Sequence, residues 1–277
     1  MNVLIIGANG FIGSHLSHAI LDQTDWCVFA IDINSHYLNE LRDHPRFTFI
    51  EGDISINQEW IENHIKECDV VLPLVAIAQP KIYVERPIDV FTLDFEENLK
   101  IIRWVHKYNR RLIFPSSSEV YGMSEDQKFS EDNSNFVYGP IHKTRWIYAS
   151  SKQLLDRLIY AYGRDEGLNY TIFRPFNWIG PRLDSLEIAR VGNSRVLTQF
   201  ICNLIDGEDL LLVGGGAQKR TFTDINDGIE ALMNILLNES ASRSKIFNIG
   251  NPENVISIKE LAHLTRNSFS KIKGVPI

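Results

Sequence analysis

Short hydrophobic runs alternate with longer amphipathic stretches along the first two-thirds of the chain. The runs are rich in β-branched residues and nearly continuous, which is typical of strands buried on both faces of a parallel sheet. They predict six strands, at residues 3–6, 28–31, 47–50, 70–74, 112–114 and 170–173. Helical spacing between them predicts helices at residues 11–21, 58–66, 91–108 and 146–163.

This alternation predicts an α/β fold with a Rossmann-like, doubly wound parallel sheet. In the last of these helices we expect one broad apolar stripe to face the core, formed by Ile147, Leu154, Leu155, Leu158 and Ile159. After about residue 177 the pattern changes to loops rich in glycine and arginine, with helices and short strands. We therefore expect a cofactor-binding domain at residues 1–176 and a smaller substrate-binding part at residues 177–277.

Composition narrows the class of protein. The 277 residues include 44% hydrophobic and 23% charged residues, with a net charge of −7, as in ordinary soluble globular proteins. The acidic excess argues against non-specific nucleic-acid binding, which needs lysine and arginine. The longest apolar run, residues 70–78, is too short to span a bilayer. Three scattered cysteines show no metal-binding spacing and predict buried free thiols. With no basic leader at the N-terminus, we expect a cytoplasmic protein.

A glycine-rich turn follows the first predicted strand and opens the first predicted helix. It reads Gly7-Ala8-Asn9-Gly10-Phe11-Ile12-Gly13, a GxxGxxG variant of the Rossmann fingerprint. Glycine permits the tight turn and the close approach of the backbone, and the helix N-terminus then faces the pyrophosphate of a dinucleotide. All of these residues except Ala8 are candidate cofactor ligands.

Acidic residues follow the second and third predicted strands. Asp32 lies 19 residues after Gly13. A carboxylate there can bind the adenosine ribose hydroxyls and would repel the additional phosphate of NADP. No arginine occupies the next two positions, so the sequence favours NAD. Asp53 and its neighbour Ile54 could reach the adenine, and the alternative is that Asp53 caps the following segment.

Two further segments contain residues that could act in catalysis. Tyr148 and Lys152 are spaced i, i+4 on a predicted helix, so both project from one face. A neighbouring ammonium favours tyrosinate, which can act as a base. The alternative is a surface tyrosine beside a solvated lysine.

The run from Pro115 to Gly122 contains three serines and Glu119 just past the fifth strand, at the edge where ligands bind in open α/β sheets. A hydroxyl there can polarise a substrate alcohol or carbonyl.

Together these features resemble the extended short-chain dehydrogenase/reductases, the NAD-dependent epimerase/dehydratase family, whose members act mostly on nucleotide sugars. The family's Ser/Thr–Tyr–Lys triad would correspond to Ser117, Tyr148 and Lys152, of which the last two also contact the cofactor. More specific strings resemble the UDP-glucuronate decarboxylases of bifunctional polymyxin-resistance enzymes, and plant UDP-apiose/UDP-xylose synthases share some of them. These strings are Val75-Ala76-Ile77-Ala78, Phe95-Glu96-Glu97-Asn98-Leu99, Ser118-Glu119-Val120-Tyr121-Gly122, Arg145-Trp146-Ile147-Tyr148, Phe173-Arg174-Pro175-Phe176-Asn177-Trp178-Ile179-Gly180-Pro181-Arg182, Gln218-Lys219-Arg220-Thr221-Phe222-Thr223-Asp224 and Asn248-Ile249-Gly250-Asn251-Pro252-Glu253-Asn254.

The resemblance implies oxidation at C4 of UDP-glucuronate by NAD, followed by loss of CO2 from the β-keto acid. Glu119 would be the catalytic acid/base and Ser118 would assist proton transfer. The alternative is that Glu119 pairs with a neighbouring arginine. The substrate-binding residues would be Ala78, Tyr83, Ser117, Ser118, Arg145, Asn177 and Arg220. The planar fork of Arg220 suits a diphosphate, with a surface arginine as the alternative. Trp178 is expected to pack in the core.

The chain also departs from the family it resembles. The bifunctional enzymes carry a preceding formyltransferase domain, so we expect no formyl transfer here. Their decarboxylase domain continues beyond the equivalent of Ile277 with an arginine proposed as a general acid. We therefore expect NAD binding in a chain whose substrate part is truncated at its C-terminus.

Three hypotheses about function remain open from the sequence. The first is a decarboxylase that serves aminoarabinose modification of lipid A or related sugar chemistry. The second is a UDP-xylose-type synthase, 4-epimerase or dehydratase acting on a nucleotide sugar. The third is a non-catalytic protein that binds NAD or a nucleotide sugar. By analogy with the family, the helices at residues 91–108 and 146–163 would pair into a homodimer or a higher homo-oligomer.

Overall fold

The hydrophobic runs form strands in the computed structural model, which describes residues 1–274. The strands are β1 (Asn2–Ile6), β2 (Cys27–Asp32), β3 (Phe47–Glu51), β4 (Val70–Pro73), β5 (Arg111–Pro115), β6 (Tyr170–Pro175), β7 (Trp178–Ile179), β8 (Lys219–Thr221), β9 (Thr223–Asp224), β10 (Lys245–Ile249) and β11 (Val255–Ser257). All six predicted strands are confirmed as β1 to β6, with ends shifted by one or two residues.

Three of the four predicted helices, at residues 11–21, 58–66 and 146–163, are confirmed with ends shifted by no more than three residues. The α-helices are α1 (Phe11–Gln23), α2 (Gln58–Glu67), α3 (Pro80–Glu85), α4 (Pro87–Phe91), α5 (Asn98–Lys107), α6 (Trp146–Glu166), α7 (Leu186–Arg190), α8 (Val196–Asp206), α9 (Ile225–Leu237), α10 (Glu239–Ser242) and α11 (Ile258–Lys273). Short 3₁₀ helices occupy His36–Leu41, Ser118–Tyr121 and Val213–Gly216, and a π-helix occupies Thr92–Glu97.

Seven strands form one parallel sheet in the order β10-β6-β5-β4-β1-β2-β3. The chain winds outward from β1 to β3 and then returns to place β4 on the other side of β1. The carboxyl ends of β1 and β4 are therefore the switch point, where open α/β sheets bind ligands. Buried side chains of the strands, among them Leu4, Val71 and Leu112, pack against α2, α5 and α6 to form the core. This arrangement confirms the predicted doubly wound fold.

Two units make up the described chain. The first contains residues 1–175 and 226–249, and the second contains residues 176–225 and those from 250 onward. The first boundary lies close to the predicted one at residue 176. The return of residues 226–249 to the first unit was not predicted, because β10 joins the sheet only through its parallel pairing with β6. The expectation about the chain end at Ile277 lies outside the described residues.

Two helix predictions need correction. The segment 91–108 is not a continuous α-helix, because the π-helix Thr92–Glu97 separates α4 from α5. Leu154 does not belong to the buried stripe of α6: its side chain is 49% exposed, whereas Leu155 and Ile159 are fully buried. Leu154 is one residue from Leu155, and a rotation of about 100° per residue in an α-helix turns it towards solvent.

The three cysteines carry free thiols. Cys68 and Cys202 are buried as predicted, but Cys27, at the start of β2, is only half-buried. Burial raises the pKa of the Cys68 thiol to about 12, with neighbouring carboxylates adding to the effect. Within residues 1–274, none of the helices has the length and apolarity that a membrane span requires.

Candidate active site

The turn after β1 leaves the N-terminus of α1 open to a ligand. Gly7 has φ +89°, which favours glycine, and the N-cap residue Gly10 provides no side-chain acceptor for the first N–H groups of the helix. A Cβ atom on Gly13 would lie 2.4 Å from Gly7 O, so glycine is needed where α1 packs against the turn. A Cβ atom on Gly10 would have Gly7 O, at 3.3 Å, as its only near neighbour among the described residues. The turn therefore fits the pyrophosphate of NAD.

The carboxylate of Asp32, at the end of β2, lies against this turn. Asp32 Oδ2 accepts a 2.8 Å hydrogen bond from the backbone N–H of Asn9. Burial raises the pKa of Asp32, while N–H groups of the turn and of the residues after β2 oppose the shift. The Asn9 side chain donates to Asn34 Oδ1 and accepts from Tyr37 N at 2.7 Å. The turn and the end of β2 therefore form one hydrogen-bonded edge that presents a carboxylate suited to a ribose.

We expect Asp32→Asn to weaken NADH binding by about tenfold or more, because hydrogen bonds to a charged group contribute roughly 1.5–3 kcal/mol. The amide keeps an acceptor for Asn9 N–H, so the turn should keep its shape. Loss of the charge also removes repulsion of a 2′-phosphate, so the preference for NADH over NADPH should narrow. Fluorescence titration with both nucleotides measures these changes. Asp69→Asn, at the opposite edge of the sheet, is the control. Equal affinity of Asp32→Asn and wild type would contradict the assignment.

Asp53 forms a local turn. Its Oδ1 accepts hydrogen bonds from the hydroxyl of Ser55 at 2.7 Å and from the backbone N–H of Ser55 at 2.8 Å, which lower the pKa of Asp53. The N-cap of α2 is Asn57, so Asp53 does not cap that helix. The Ile54 side chain is buried in the hydrophobic core, which leaves only its backbone to face a cofactor. Adenine binding by both residues stays a prediction.

The serines and Glu119 lie at the carboxyl edge of β5. Ser117 caps the 3₁₀ helix Ser118–Tyr121, and its hydroxyl accepts a 3.1 Å hydrogen bond from Glu119 N. Ser118 and Glu119 are half-buried. Glu119 Oε2 lies 3.1 Å from Arg145 Nη2. The ion pair with a neighbouring arginine, the alternative for Glu119, is therefore present. The role of Glu119 as acid/base stays a prediction.

Helix α6 holds the two other members of the candidate triad. Tyr148 is buried, and its ring stacks on the ring of Tyr83 at 4.7 Å with an angle of 4° between the planes. Lys152 is also buried, so the alternative of a solvated lysine is wrong. Its Nζ donates a 2.9 Å hydrogen bond to Pro115 O and lies 5.0 Å from the Phe114 ring centroid. This bond ties α6 to the end of β5, two residues before Ser117.

A buried polar network behind this site was not predicted. Asp156 Oδ2 accepts from the Ser116 hydroxyl at 2.8 Å and from Arg174 Nη2 at 3.0 Å. Arg174 also donates to the Tyr121 hydroxyl at 2.8 Å. A signal for Asp156 was present, since it follows Lys152 by four residues and therefore lies on the same face of α6. Asp94, in the π-helix, was missed as well, because a π-helix breaks the helical spacing that would place it.

The predicted substrate residues are divided between the units. In the first unit Ala78 is half-buried, and Tyr83, predicted to line the sugar pocket, is 2% exposed because it packs against Tyr148. In the second unit Asn177 Nδ2 donates to Thr221 O at 3.0 Å. Arg220 there is exposed on β8, with a hydrogen bond to Lys219 O at 2.7 Å.

Burial of Trp178 in the second unit confirms that it packs in the core. The roles predicted for Ala78, Tyr83, Asn177 and Arg220 as substrate ligands remain predictions.

Solved structures share this fold. PbgP3 protein from Burkholderia pseudomallei is 55% identical with a TM-score of 0.91, and the match covers 98% of this chain and 81% of that one. UDP-N-acetylglucosamine 4-epimerase from Methanobrevibacter ruminantium is 26% identical with a TM-score of 0.82, covering 95% and 80%. UDP-glucuronic acid 4-epimerase from Bacillus cereus, in complex with UDP-glucuronic acid and NAD, is 25% identical with a TM-score of 0.82, covering 99% and 83%.

A family model agrees with these likenesses. The model of the NAD dependent epimerase/dehydratase family matches residues 3–250, which include the glycine-rich turn, the carboxyl edge of β5 and the Tyr148–Lys152 pair. The match confirms the resemblance to extended short-chain dehydrogenase/reductases and the choice of NAD as cofactor. This chain belongs to the NAD dependent epimerase/dehydratase family.

Proposed function

We propose that the chain catalyses the oxidative decarboxylation of UDP-glucuronate by NAD, to UDP-4-keto-pentose (UDP-β-L-threo-pentopyranosyl-4-ulose), CO2 and NADH. The observation that carries the proposal is the placement of Glu119 directly after Ser117 and Ser118 at the edge of β5, in the first unit with the Tyr148–Lys152 pair. The reaction needs a base for the C4 hydroxyl and a second acid/base group for the carbon that loses CO2. UDP-glucuronic acid bound to the Bacillus cereus neighbour supports the substrate class.

Oxidation at C4 begins with removal of the hydroxyl proton. Tyr148 would accept this proton as tyrosinate, which the Lys152 ammonium one helical turn away stabilises. The Ser117 hydroxyl accepts its hydrogen bond from Glu119 N, so its own hydrogen can be donated to the substrate oxygen. NAD supplies the acceptor for the hydride that leaves C4.

Loss of CO2 follows because the new C4 carbonyl lies β to the carboxylate and accepts the electrons of the breaking bond. Glu119, assisted by Ser118, would then deliver a proton to C5. The proton removed at C4 balances the one added at C5, so the overall reaction releases no net proton. Tyr148 would release the C4 proton to solvent, and Glu119 would take up a proton from solvent before it protonates C5. The carboxylate of Glu119 then pairs again with Arg145, 3.1 Å away.

Three residues would bind the nucleotide sugar, as the resemblance implies. Arg220 is exposed on β8, and its planar fork suits the diphosphate. Asn177 and Arg145 would contact the sugar nucleotide, as the resemblance implies. The first unit would bind NAD through the turn after β1 and through Asp32.

A second candidate is 4-epimerisation of UDP-glucuronate. The Bacillus cereus neighbour is named as such an enzyme. Epimerisation uses the same oxidation at C4 but returns the hydride to the other face of the ring, and the carboxylate is retained. Net NADH and CO2 separate the two reactions.

The test is incubation of the purified protein with NAD and UDP-glucuronate, with NADH absorbance, released CO2 and product mass followed together. Equal amounts of NADH and CO2 are expected. NADH without CO2 would show oxidation alone, and a decarboxylated product without net NADH would indicate a UDP-xylose-type synthase. A product of unchanged mass without NADH would indicate the epimerase. No reaction by protein that still binds NAD would favour a non-catalytic binding protein.

We expect Glu119→Gln to lower decarboxylation by about a hundredfold, at the lower end of the range for general acid–base groups. The amide is isosteric and can still accept from Arg145, while it cannot donate a carboxylic proton. NADH binding should be unchanged. Glu125→Gln, an exposed carboxylate in the loop after the 3₁₀ helix, is the matched control. A Glu119→Gln enzyme as fast as wild type would show that the reaction needs neither a carboxylic proton from Glu119 nor its charge beside Arg145.

A further inference from the structure

Asp94 is a fully buried carboxylate of the first unit that uses only one of its oxygens for hydrogen bonding. Its Oδ1 accepts a 2.8 Å hydrogen bond from the backbone N–H of Ile77. Its Oδ2 is inaccessible to solvent and has no hydrogen-bond partner among the described residues. Leaving such an oxygen unsatisfied costs stability, so its retention requires another reason.

The backbone around Asp94 is held in an unusual form. Asp94 lies in the π-helix, a conformation that is rare in proteins overall but often found at functional sites. The side chain of Asn98 donates to Leu93 O at 3.1 Å and to Asp94 O at 3.3 Å. These bonds stabilise the wide turn, so Asp94 is placed by a specific local structure.

Lys152 of α6 is the cation whose charge acts on Asp94. The π-helix packs against α6, and the Lys152 ammonium and the Asp94 carboxylate interact electrostatically. Lys152 is 1% exposed, and its one hydrogen bond among the described residues goes to the neutral carbonyl of Pro115. Burial lowers the pKa of Lys152, and the carboxylates of Asp94 and Asp156 oppose that shift. Burial also raises the pKa of Asp94 to about 6, so Asp94 is ionised at neutral pH.

The two carboxylates are not equivalent. Asp156 already pairs with the guanidinium of Arg174 and accepts from the hydroxyl of Ser116. Asp94 has no ion pair of its own among the described residues. Glu97 of the π-helix is buried and pairs with Lys100 at 2.8 Å. Tyr148 lies one turn before Lys152 on α6, and Tyr83 of α3 stacks on Tyr148.

We infer that Asp94 is a positioning residue of this active site, the carboxylate that keeps the Lys152 ammonium charged and so maintains Tyr148 as a base. The catalytic significance of this arrangement rests on the proposed function, in which Tyr148 removes the C4 proton. The charge relation between Asp94 and Lys152 can be tested without substrate.

The variant Asp94→Asn removes the negative charge of the side chain and keeps its shape. Its amide oxygen can still accept from Ile77 N–H, while an NH₂ group replaces the unpartnered oxygen and cannot neutralise an ammonium. The pKa of Lys152, which burial already lowers, should then fall further, and Tyr148 should ionise at higher pH. We expect an upward shift of about one pH unit or more, a tenfold or larger change in the ionisation constant.

Ultraviolet difference titration of tyrosinate, on protein free of NAD, measures this shift. The Tyr148 signal is wild type minus Tyr148→Phe, and in the variant it is Asp94→Asn minus the Asp94→Asn/Tyr148→Phe double variant. Asp89→Asn removes an exposed carboxylate of α4 that pairs with Arg86, and it should leave the titration unchanged. Thermal unfolding checks that each variant is folded. Asp94→Ser, which keeps a small acceptor, replaces Asp94→Asn if the latter does not fold, and the same direction is expected.

An upward shift supports the inference. A downward shift would overturn it, because it would mean that Lys152 stays charged without Asp94 and that Asp94 only repels tyrosinate. An unchanged titration would also overturn it and leave Asp94 a structural role at Ile77. Since no substrate enters the experiment, failure to turn over UDP-glucuronate would reject the proposed function and would leave this result to stand on its own.

Discussion

Tyr148→Phe is expected to lower the rate of NADH formation by about 10²–10⁴-fold, the usual contribution of a positioned general base. The phenyl ring keeps the stacking on Tyr83, so the variant removes the hydroxyl and little else. In the proposed reaction the Lys152 ammonium then has no tyrosinate to stabilise, and the C4 hydroxyl has no group to accept its proton. A single-turnover measurement at saturating NAD and UDP-glucuronate isolates this step from product release.

The matched control is Tyr160→Phe. Tyr160 lies on the same helix α6 but is 50% exposed, so loss of its hydroxyl should leave the rate near that of wild type. Fluorescence titration should give wild-type NADH affinity for Tyr160→Phe, and for Tyr148→Phe it measures how much of the effect comes from cofactor binding. Lys152→Met should be slow as well, and the double variant no slower than the single ones, because the two residues act as one unit. A Tyr148→Phe enzyme with the wild-type rate would require another base.

The strands of the sheet could be predicted because each is specified by its own consecutive residues. A strand buried on both faces needs apolar residues at nearly every position. β4 is apolar throughout, and β1 and β5 are apolar after their first residues, Asn2 and Arg111. The glycine-rich turn was recognisable for a similar reason, since the contact between Gly13 and Gly7 O leaves room for no side chain. In both cases the constraint lies within a few consecutive residues.

Other features depend on partners far apart in the sequence. Strand β10 carries Lys245 and Asn248, and only its pairing with β6 makes it part of the sheet. The sequence predicts one amphipathic helix at residues 91–108, in which a polar residue such as Asp94 would be expected to face solvent. Asp94 is buried instead, because it lies in the π-helix, where the charge of Lys152 from α6 acts on it. The link from Asp156 to Arg174 joins α6 to β6. Side chains of this kind cannot be assigned from spacing on one element.

The buried ion pair of Asp156 and Arg174 leads to the second large effect. Their side chains are 4% and 2% exposed, and the guanidinium also lies 5.1 Å from the ring centroid of Tyr121. We expect Arg174→Met to lower the free energy of unfolding by roughly 3–5 kcal/mol, because it leaves an uncompensated buried carboxylate. Urea unfolding followed by circular dichroism measures the change.

Arg190→Met provides the comparison for this pair. Arg190 and Asp206 form an ion pair at 2.9 Å with side chains 50% and 32% exposed, so its loss should cost about 1 kcal/mol or less. Equal losses in the two variants would contradict the argument from burial.

The double variant Asp156→Leu/Arg174→Met separates stability from chemistry at this position. Apolar residues of similar volume often replace a buried ion pair without loss of stability, so the double variant should regain much of what Arg174→Met loses. It should not regain full activity, because Ser116, which precedes Ser117, would lose its acceptor. Recovery of both stability and activity would instead make this pair a purely structural feature of the first unit, and Asp94 would then be the only carboxylate needed beside Lys152.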